Sequence, residues 1–432
     1  MPVVGRTPVD ARAAPGFPAA SGAGGPKAHA DVRISNMSLI LRHLQAGPPC
    51  SRTELVRQTG LSKATVSTLV AELCARGLVS EGAPDMSGNV GRPSTALQIA
   101  AQAVAGVGAE IGIDSLLLTV VDLAGRVVTQ ESCLIADPAR SFTAVIDQLS
   151  ALLTAQLEKL RSQGVAVLEV VVAQTGALDY TSGTVRFSSS LGWHDAPLLE
   201  ALRSALARDL PEDAALPELA MENDAKLAAL AAYGDYARKG VRHLLYLSGG
   251  EGVGAGIIAD GHLLRGWYGS TGEVGHMPVE TDGQVCRCGR RGCWETLIGL
   301  HSLTAIYPPQ DPVHDDARSL VSRIAMLRER FDAGDQVLIE RLAQAQHDLE
   351  RGLAILVDVL NPQVIVLSGW LAAFDDVLLA PTAASLEARR LDDRPAVHLL
   401  ASRLGPWAPS LGAALVSLEP VLADPTVLQP QD

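Results

Sequence analysis

Aromatic side chains are scarce in this chain: Phe, Tyr and Trp make up 4% of 432 residues, against 47% hydrophobic residues overall. The core must therefore be built from Ala, Leu and Val. No apolar run reaches the roughly eighteen uninterrupted residues of a membrane-spanning helix. The most apolar region, 353–374, is broken by Asp358, Asn361 and Pro362, so no membrane partner is expected. The N-terminus lacks the apolar segment of a secretory signal. Cysteine is also sparse, with Cys50, Cys74 and Cys133 scattered singly. That is a reduced, cytoplasmic pattern and excludes a disulfide framework. Basic charge is short: 35 Lys/Arg stand against 48 Asp/Glu, a net of −13.

What cysteine there is concentrates in one place. Glu273-Val-Gly-His276 is followed by Cys286-Arg-Cys288 and then Cys293-Trp-Glu295. Three Cys and one His are the ligands Zn2+ prefers, and four of them close a tetrahedral structural site with no open position for water. Gly283, Gly289 and Gly292 allow the tight turns that gather them. A structural Zn2+ on His276, Cys286, Cys288 and Cys293 is the expected cofactor. Glu273 and Glu295 flank the set and would be held in place by it.

The chain divides by composition. Residues 1–30 are rich in Ala, Gly and Pro and read as a disordered leader. Residues 31–100 show three helical stretches. Leu39, Ile40, Leu41 and Leu44 give the first one apolar face, and Ser51-Arg-Thr-Glu54 is a capping box that opens the second. Thr59-Gly60-Leu61 turns, and Ser62 caps a third helix, Lys63 to Arg76, with Val66, Leu69, Val70 and Leu73 inward. This is a helix-turn-helix, whose second helix enters the major groove of double-stranded DNA. Ser62, Lys63, Thr65, Ser67 and Thr68 on its first turns can reach phosphates or base edges. Strands at 78–82 and 95–99 around a polar loop make a wing. In that loop Arg92, between Gly91 and Pro93, is suited to a narrow minor groove. Residues 31–100 carry a net +2 and residues 101–432 a net −17. DNA contact is thus confined to the small domain, and so weak a basic footprint calls for two copies, as a homodimer or dimer of dimers on a two-fold operator.

Beyond residue 103, strand-rich runs alternate with helices, as in α/β folds. Strands are expected at 104–113, 116–122, 126–134, 167–172 and 216–221, with helices at 142–163, from Pro197 to about Arg208, and from Lys226 to Tyr233. A second strand-rich unit opens at 242–247, turns through a Gly-rich segment to 257–258, and leads to a long helix from Asp335 to about Leu360 and a strand at 364–367. Strand-rich openings in both halves imply two related lobes around a cleft, at about 101–238 and 239–400, with a C-terminal helix at 410–420.

The motif E-x-G-H … C-x-C-G-x-x-G-C-x-E over 273–295 resembles the signature of the ROK family of repressors and sugar kinases. The segments around 51–55, 59–67 and 91–93 resemble the DNA-binding half of its regulators. The resemblance covers residues 31–420. It implies an N-terminal winged helix-turn-helix followed by a two-lobed actin-like (ribonuclease H-like, sugar-kinase-like) domain. It also implies zinc on the His/Cys3 set, and a sugar effector held by Asn223, Asp224, Glu273, His276 and Glu295. Asp224 matches the general base of the kinase members. Their phosphate-binding D-x-G-G-T turn is replaced by Glu110-Ile-Gly112-Ile113-Asp114, however, and their G-T-G loop by Gly250-Glu251-Gly252. Carboxylates stand where hydroxyls would meet phosphate. The expectation is a sugar-responsive transcription factor acting as a repressor, with no catalytic residue. Two alternatives stay open: a sugar kinase fused to a DNA-binding domain, kept alive by Asp224, and a regulator read by a protein partner such as a sugar-transport subunit.

Overall fold

A computed structural model describes residues 29–84, 95–315, 318–391 and 395–430. Most of the expected leader and the wing tip with Arg92 lie outside the described residues. Three helices come first: α1 (His29–Ala46), α2 (Arg52–Thr59) and α3 (Lys63–Ala75), followed by an antiparallel pair, β1 (Val79–Pro84) and β2 (Thr95–Ile99). α1 begins at His29, inside the expected leader. Met37, Ile40, Leu41 and Leu44 form its buried face, whereas Leu39, placed on that face from sequence, is 44% exposed. The turn between α2 and α3 follows from three residues. Ser51 Oγ accepts from Glu54 N, Gly60 ends α2 at φ 71°, and Ser62 Oγ accepts from Thr65 N. The capping box is only half made. The Glu54 carboxylate accepts from Arg57 and Gln58 side chains instead of reaching back to Ser51, because a charged guanidinium is the stronger donor.

The first lobe opens with β3 (Ala105–Ile111), β4 (Ser115–Asp122) and β5 (Val127–Leu134), then α4 (Phe142–Ser162) and β6 (Glu169–Gln174). Three short strands follow, β7 (Ala177–Asp179), β8 (Thr184–Ser188) and β9 (Trp193–Ala196), and then α5 (Leu198–Asp209), β10 (Glu218–Asn223) and α6 (Asp224–Ala237). The small β7-β8-β9 sheet was not anticipated: strands this short carry too few alternating positions to register as a period. The second lobe contains β11 (Leu244–Gly249), β12 (Val253–Ala259) and β13 (His262–Leu263), then the short helices α7 (Glu295–Ile298) and α8 (Leu300–Thr304). It continues with α9 (Leu320–Asp332), α10 (Gln336–Leu360), β14 (Val364–Gly369), α11 (Trp370–Ala373), α12 (Asp375–Ala388) and β15 (His398–Ala401).

The two large sheets repeat one plan. In the order β5-β4-β3-β6-β10 the first three strands are antiparallel and the last three parallel, and β13-β12-β11-β14-β15 matches it strand for strand. This is the pair of related lobes expected from sequence.

The C-terminal helix is two helices, α13 (Ala408–Val416) and α14 (Glu419–Ala423), not one at 410–420. Pro420 supplies no N–H and starts a new helix rather than continuing the old one. α13 lies on β3, β4 and β6 of the first lobe and against α6, which in turn packs on β11 and β12 of the second. Ala414 and Leu418, with Val421 and Leu422 of α14, share one apolar core with Met37, Ile40, Leu41, Leu69 and Leu97 of the N-terminal domain. Polar ties reinforce it. Arg42 donates to both Glu419 oxygens at 3.0 and 2.5 Å, and Arg76 donates to the Leu428 carbonyl.

The fit of α13 on β3 depends on Gly108, where a Cβ would stand 2.2 Å from both Ala414 N and the Ser410 carbonyl oxygen. Backbone cannot yield as a side chain can. Gly108→Ala should cost at least about 1–3 kcal/mol, read as a lower urea midpoint of unfolding.

Candidate functional site

The cleft-side chemistry begins where β10 meets α6. Asn223 ends the strand, and its Oδ1 accepts from Lys226 N, capping the helix. Asp224 is the first helical residue. It keeps a sliver of solvent contact but lies deep among protein atoms, and burial pushes its carboxyl up to about 6, with Glu273 acting in the same direction. Asp224 beside Asn223, and Glu273 from the second strand-rich half of the chain, lie near enough to feel each other's charge.

Glu273 leads into a turn of 3-10 helix, Val274–His276. His276 faces two ways: its Nδ1 is 3.7 Å from Cys286 Sγ, while its Nε2 is 3.9 Å from the Glu273 carboxylate. The two ring nitrogens thus face different neighbours, the cysteine set on one side and Glu273 on the other. Cys286 N donates to the Arg290 carbonyl and Gly289 N to the Cys286 carbonyl, which folds 286–290 into a tight turn. Cys288 and Cys293 Sγ are 3.7 Å apart, and one ligand atom from each of His276, Cys286, Cys288 and Cys293 lies within 4.8 Å of all the others. Thiolate–metal bonds of about 2.3 Å in a tetrahedron give edges of about 3.8 Å, so these four residues can hold a metal ion. Trp294, fully buried, donates through Nε1 to the Asp348 carbonyl and anchors the segment on α10.

Glu295 is more constrained than its flanking position implied. One carboxylate oxygen accepts from Val253 N at 3.1 Å, and the other is 3.6 Å from Cys286 Sγ. It braces the cysteine segment against the β11–β12 turn.

A buried cluster beside these residues escaped sequence reading. Glu222 accepts from Tyr180 OH at 2.6 Å, Arg265 Nε at 2.9 Å and Asn223 N at 2.9 Å. Lys226, 2% exposed, donates to the Gly269 carbonyl, and burial lowers its pKa although Glu222 and Glu273 oppose this. The available signal was the Glu222/Lys226 pair four residues apart across a strand-to-helix junction, a place where charges must be partnered if buried.

Three further carboxylates, Glu110, Asp114 and Glu251, stand around this region. The Asp114 carboxylate accepts from Leu320 N at the start of α9, joining the lobes. Glu251 pairs with Arg323 of the same helix at 2.6 Å. Glu110 sits deep between Asp114 and Asp224, its Oε2 without a hydrogen-bond partner, and burial pushes its carboxyl well above the ordinary range.

On α3, Ser62, Lys63, Ser67 and Thr68 are exposed, and Thr65 is half-buried. Ser62 and Thr65 are partly committed to each other, with hydroxyls 2.8 Å apart. Arg92 lies outside the described residues.

Comparison with known proteins places this geometry in context. Residues 106–419 match the model of the ROK family, and residues 38–85 that of the MarR family. A putative xylose repressor from Caldicellulosiruptor sp. (strain Rt8B.4) is 26% identical over 81% of this chain and 87% of its own length. The transcriptional dual regulator NagC from Escherichia coli (strain K12) is 24% identical over 83% and 86%. Among solved structures, a ROK family transcriptional regulator homologous to E. coli MLC superposes with a TM-score of 0.71 at 21% identity, covering 91% of this chain and 98% of its own. A ROK family glucokinase from Streptomyces griseus, solved with glucose and AMPPNP, gives 0.57 at 25% identity, covering 72% and 98%.

Glu110 titrates near 4.3 in an unfolded chain and higher in the fold, so its ionisation erodes stability as pH rises above that value. Glu110→Gln should therefore raise the urea midpoint at pH 8 and raise it less at pH 5.

Proposed function

The chain belongs to the ROK family, and from that premise we propose that it is a sugar-responsive DNA-binding repressor. The observation that carries the reading is a physical connection. The helix whose first turn holds Asn223 and Asp224 packs on α13, and α13 continues into the core of the winged-helix domain. A ligand that draws Asp224 and Glu273 together bears on α6 from both lobes. α6 packs closely on α13, and α14 packs on α1, which packs on α3, so a shift of α6 has a packed route to the winged helix. Repressor relatives that align over both halves of the chain support the same reading.

The sugar contacts are assigned to Asn223, Asp224, Glu273 and His276 Nε2, with Glu295 closing the floor. Carboxylates and amides held in fixed positions discriminate sugars because a missing hydroxyl leaves a buried acceptor unpaired. Zn2+ is assigned to His276 Nδ1, Cys286, Cys288 and Cys293. When bound it supplies a rigid crosslink and no reaction, and it holds Glu273 and His276 Nε2 at the cleft. Ser62, Lys63, Ser67 and Thr68 are assigned to DNA, with Arg92 from the wing, in a homodimer on a two-fold site. Phosphoryl transfer is disfavoured by charge. Asp114 already occupies the amide end of α9 and Glu251 already holds Arg323, so a nucleotide phosphate would meet carboxylates where it needs donors.

The test is binding of the purified protein to DNA upstream of its own gene, at fixed salt, with and without a panel of sugars. Release by one sugar is expected, and no release by any would sink the sugar-sensing reading. Asp224→Ala should keep DNA affinity and lose the response. Cys288→Ser should lose both bound zinc, measured by metal analysis, and the response. Arg42→Met severs the tie to Glu419. It should leave sugar affinity unchanged by calorimetry while shrinking a sugar-induced loss of DNA affinity that is worth about 1–3 kcal/mol in typical coupled systems.

A further inference from the structure

Between β13 and Glu273 the chain presents two large aromatic rings to solvent. Trp267 is 89% exposed and Tyr268 73% exposed, and the rings are stacked, 5.1 Å between centroids and 6° from parallel. In a protein so poor in aromatics, two adjacent ones left outside are conspicuous. Single exposed apolar residues need no explanation, but a contiguous patch marks a binding surface.

The loop that carries them is held rigidly. Thr271 N donates to the Arg265 carbonyl across its base, and Ala255 N donates to the Gly272 carbonyl beside Glu273. Arg265 is paired with Glu222, and the Gly269 carbonyl accepts from Lys226 Nζ and from Tyr180 OH at 3.4 Å. The Tyr180 ring lies so close that a Cβ at position 269 would be 2.0 Å from it. Tyr268 is therefore one residue from the carbonyl gripped by Lys226, the cation that feels both Asp224 and Glu273. The backbone beside the aromatic pair is thus tied to the cluster around Asp224 and Glu273.

We propose that Trp267 and Tyr268 form an apolar subsite continuous with the sugar site, so that the effector is a glycoside or oligosaccharide whose second unit stacks on the rings. This rests on the reading of the cleft as a sugar site. The chemistry is complementary: carboxylates and amides take the hydroxyls of one unit, and a flat, pre-ordered aromatic surface takes the apolar face of the next at little entropic cost.

The experiment is calorimetry on the full-length protein with paired probes: xylose, xylobiose and p-nitrophenyl β-xyloside, and N-acetylglucosamine with its β-1,4 dimer and p-nitrophenyl β-glycoside. The expected result is that, in at least one series, the extended probe binds about tenfold more tightly than the monosaccharide, a gain of about 1.4 kcal/mol. The double variant Trp267→Ala/Tyr268→Ala should abolish that gain and leave monosaccharide affinity within about twofold. Sedimentation and thermal melting of the variant report its fold and assembly. A monosaccharide that binds as tightly as its extended forms, or a gain that survives the double variant, overturns the subsite alone. Binding of no probe in either series overturns the sugar-site reading together with the subsite. A variant that keeps its melting temperature but loses self-association identifies the pair as a contact between copies and overturns the proposal.

Discussion

Everything in this molecule turns on the seat of α13. The helix lies directly on the β3 backbone because Gly108 offers no side chain to hold it off, and its polar groups are satisfied within the contact. Ser417 Oγ accepts from Val107 N at 2.8 Å and donates to the Ala414 carbonyl, and Ser410 meets Thr119 at 2.8 Å. Buried hydroxyls without partners would have made so close an approach unfavourable. One short helix thus touches the first sheet, the helix that caps the cleft, and the core of the winged-helix domain. Close-packed interfaces move between discrete arrangements instead of deforming smoothly. That property is what a sensor needs if a small displacement in the cleft is to be felt at the DNA-reading helix.

Buried charge is managed in two ways around Asn223 and Asp224. Glu222 and Lys226 are enclosed and partnered: Glu222 is surrounded by Tyr180, Arg265 and the Asn223 amide, and Lys226 donates to the Gly269 carbonyl. Asp114 and Glu251 instead meet Leu320 N and Arg323 of α9, while Glu110 is left with an unpartnered oxygen. Trp294 and Glu295 fix the His/Cys3 segment to α10 and to the β11–β12 turn.

Much of the fold was legible in the sequence because its signals are local. Ser51, Gly60 and Ser62 mark helix ends by hydrogen bonds made within a few residues, and Val66, Leu69, Val70 and Leu73 declare an inward face by their spacing. The His/Cys3 set needs only a tight turn to assemble, and Cys286, Cys288 and Cys293 lie within eight residues. Only family resemblance suggests that Asn223-Asp224 and Glu273 work together, since nothing in the local pattern brings residues some fifty positions apart to one site. Where local signals compete, the reading slipped. Leu39 is apolar yet exposed, Glu54 chose Arg57 over the backbone, and Pro420 split the final helix.

The sequence by itself determined which groups are present and how they are spaced: a helix-turn-helix, three cysteines and a histidine that could hold a metal ion, and the carboxylates Glu110, Asp114 and Glu251. These follow from residue type and short-range spacing. Only the tertiary structure decided that Glu295 is a brace, that His276 faces both the metal site and Glu273, and that Glu222, Lys226, Arg265 and Tyr180 form one buried cluster. It also decided that α13 and α14 pack between α6 and the core of the winged-helix domain. Those outcomes depend on contacts between residues tens to hundreds of positions apart, such as Arg42 with Glu419. Such contacts leave no periodic trace in the chain because loop closure and packing, not local propensity, select them.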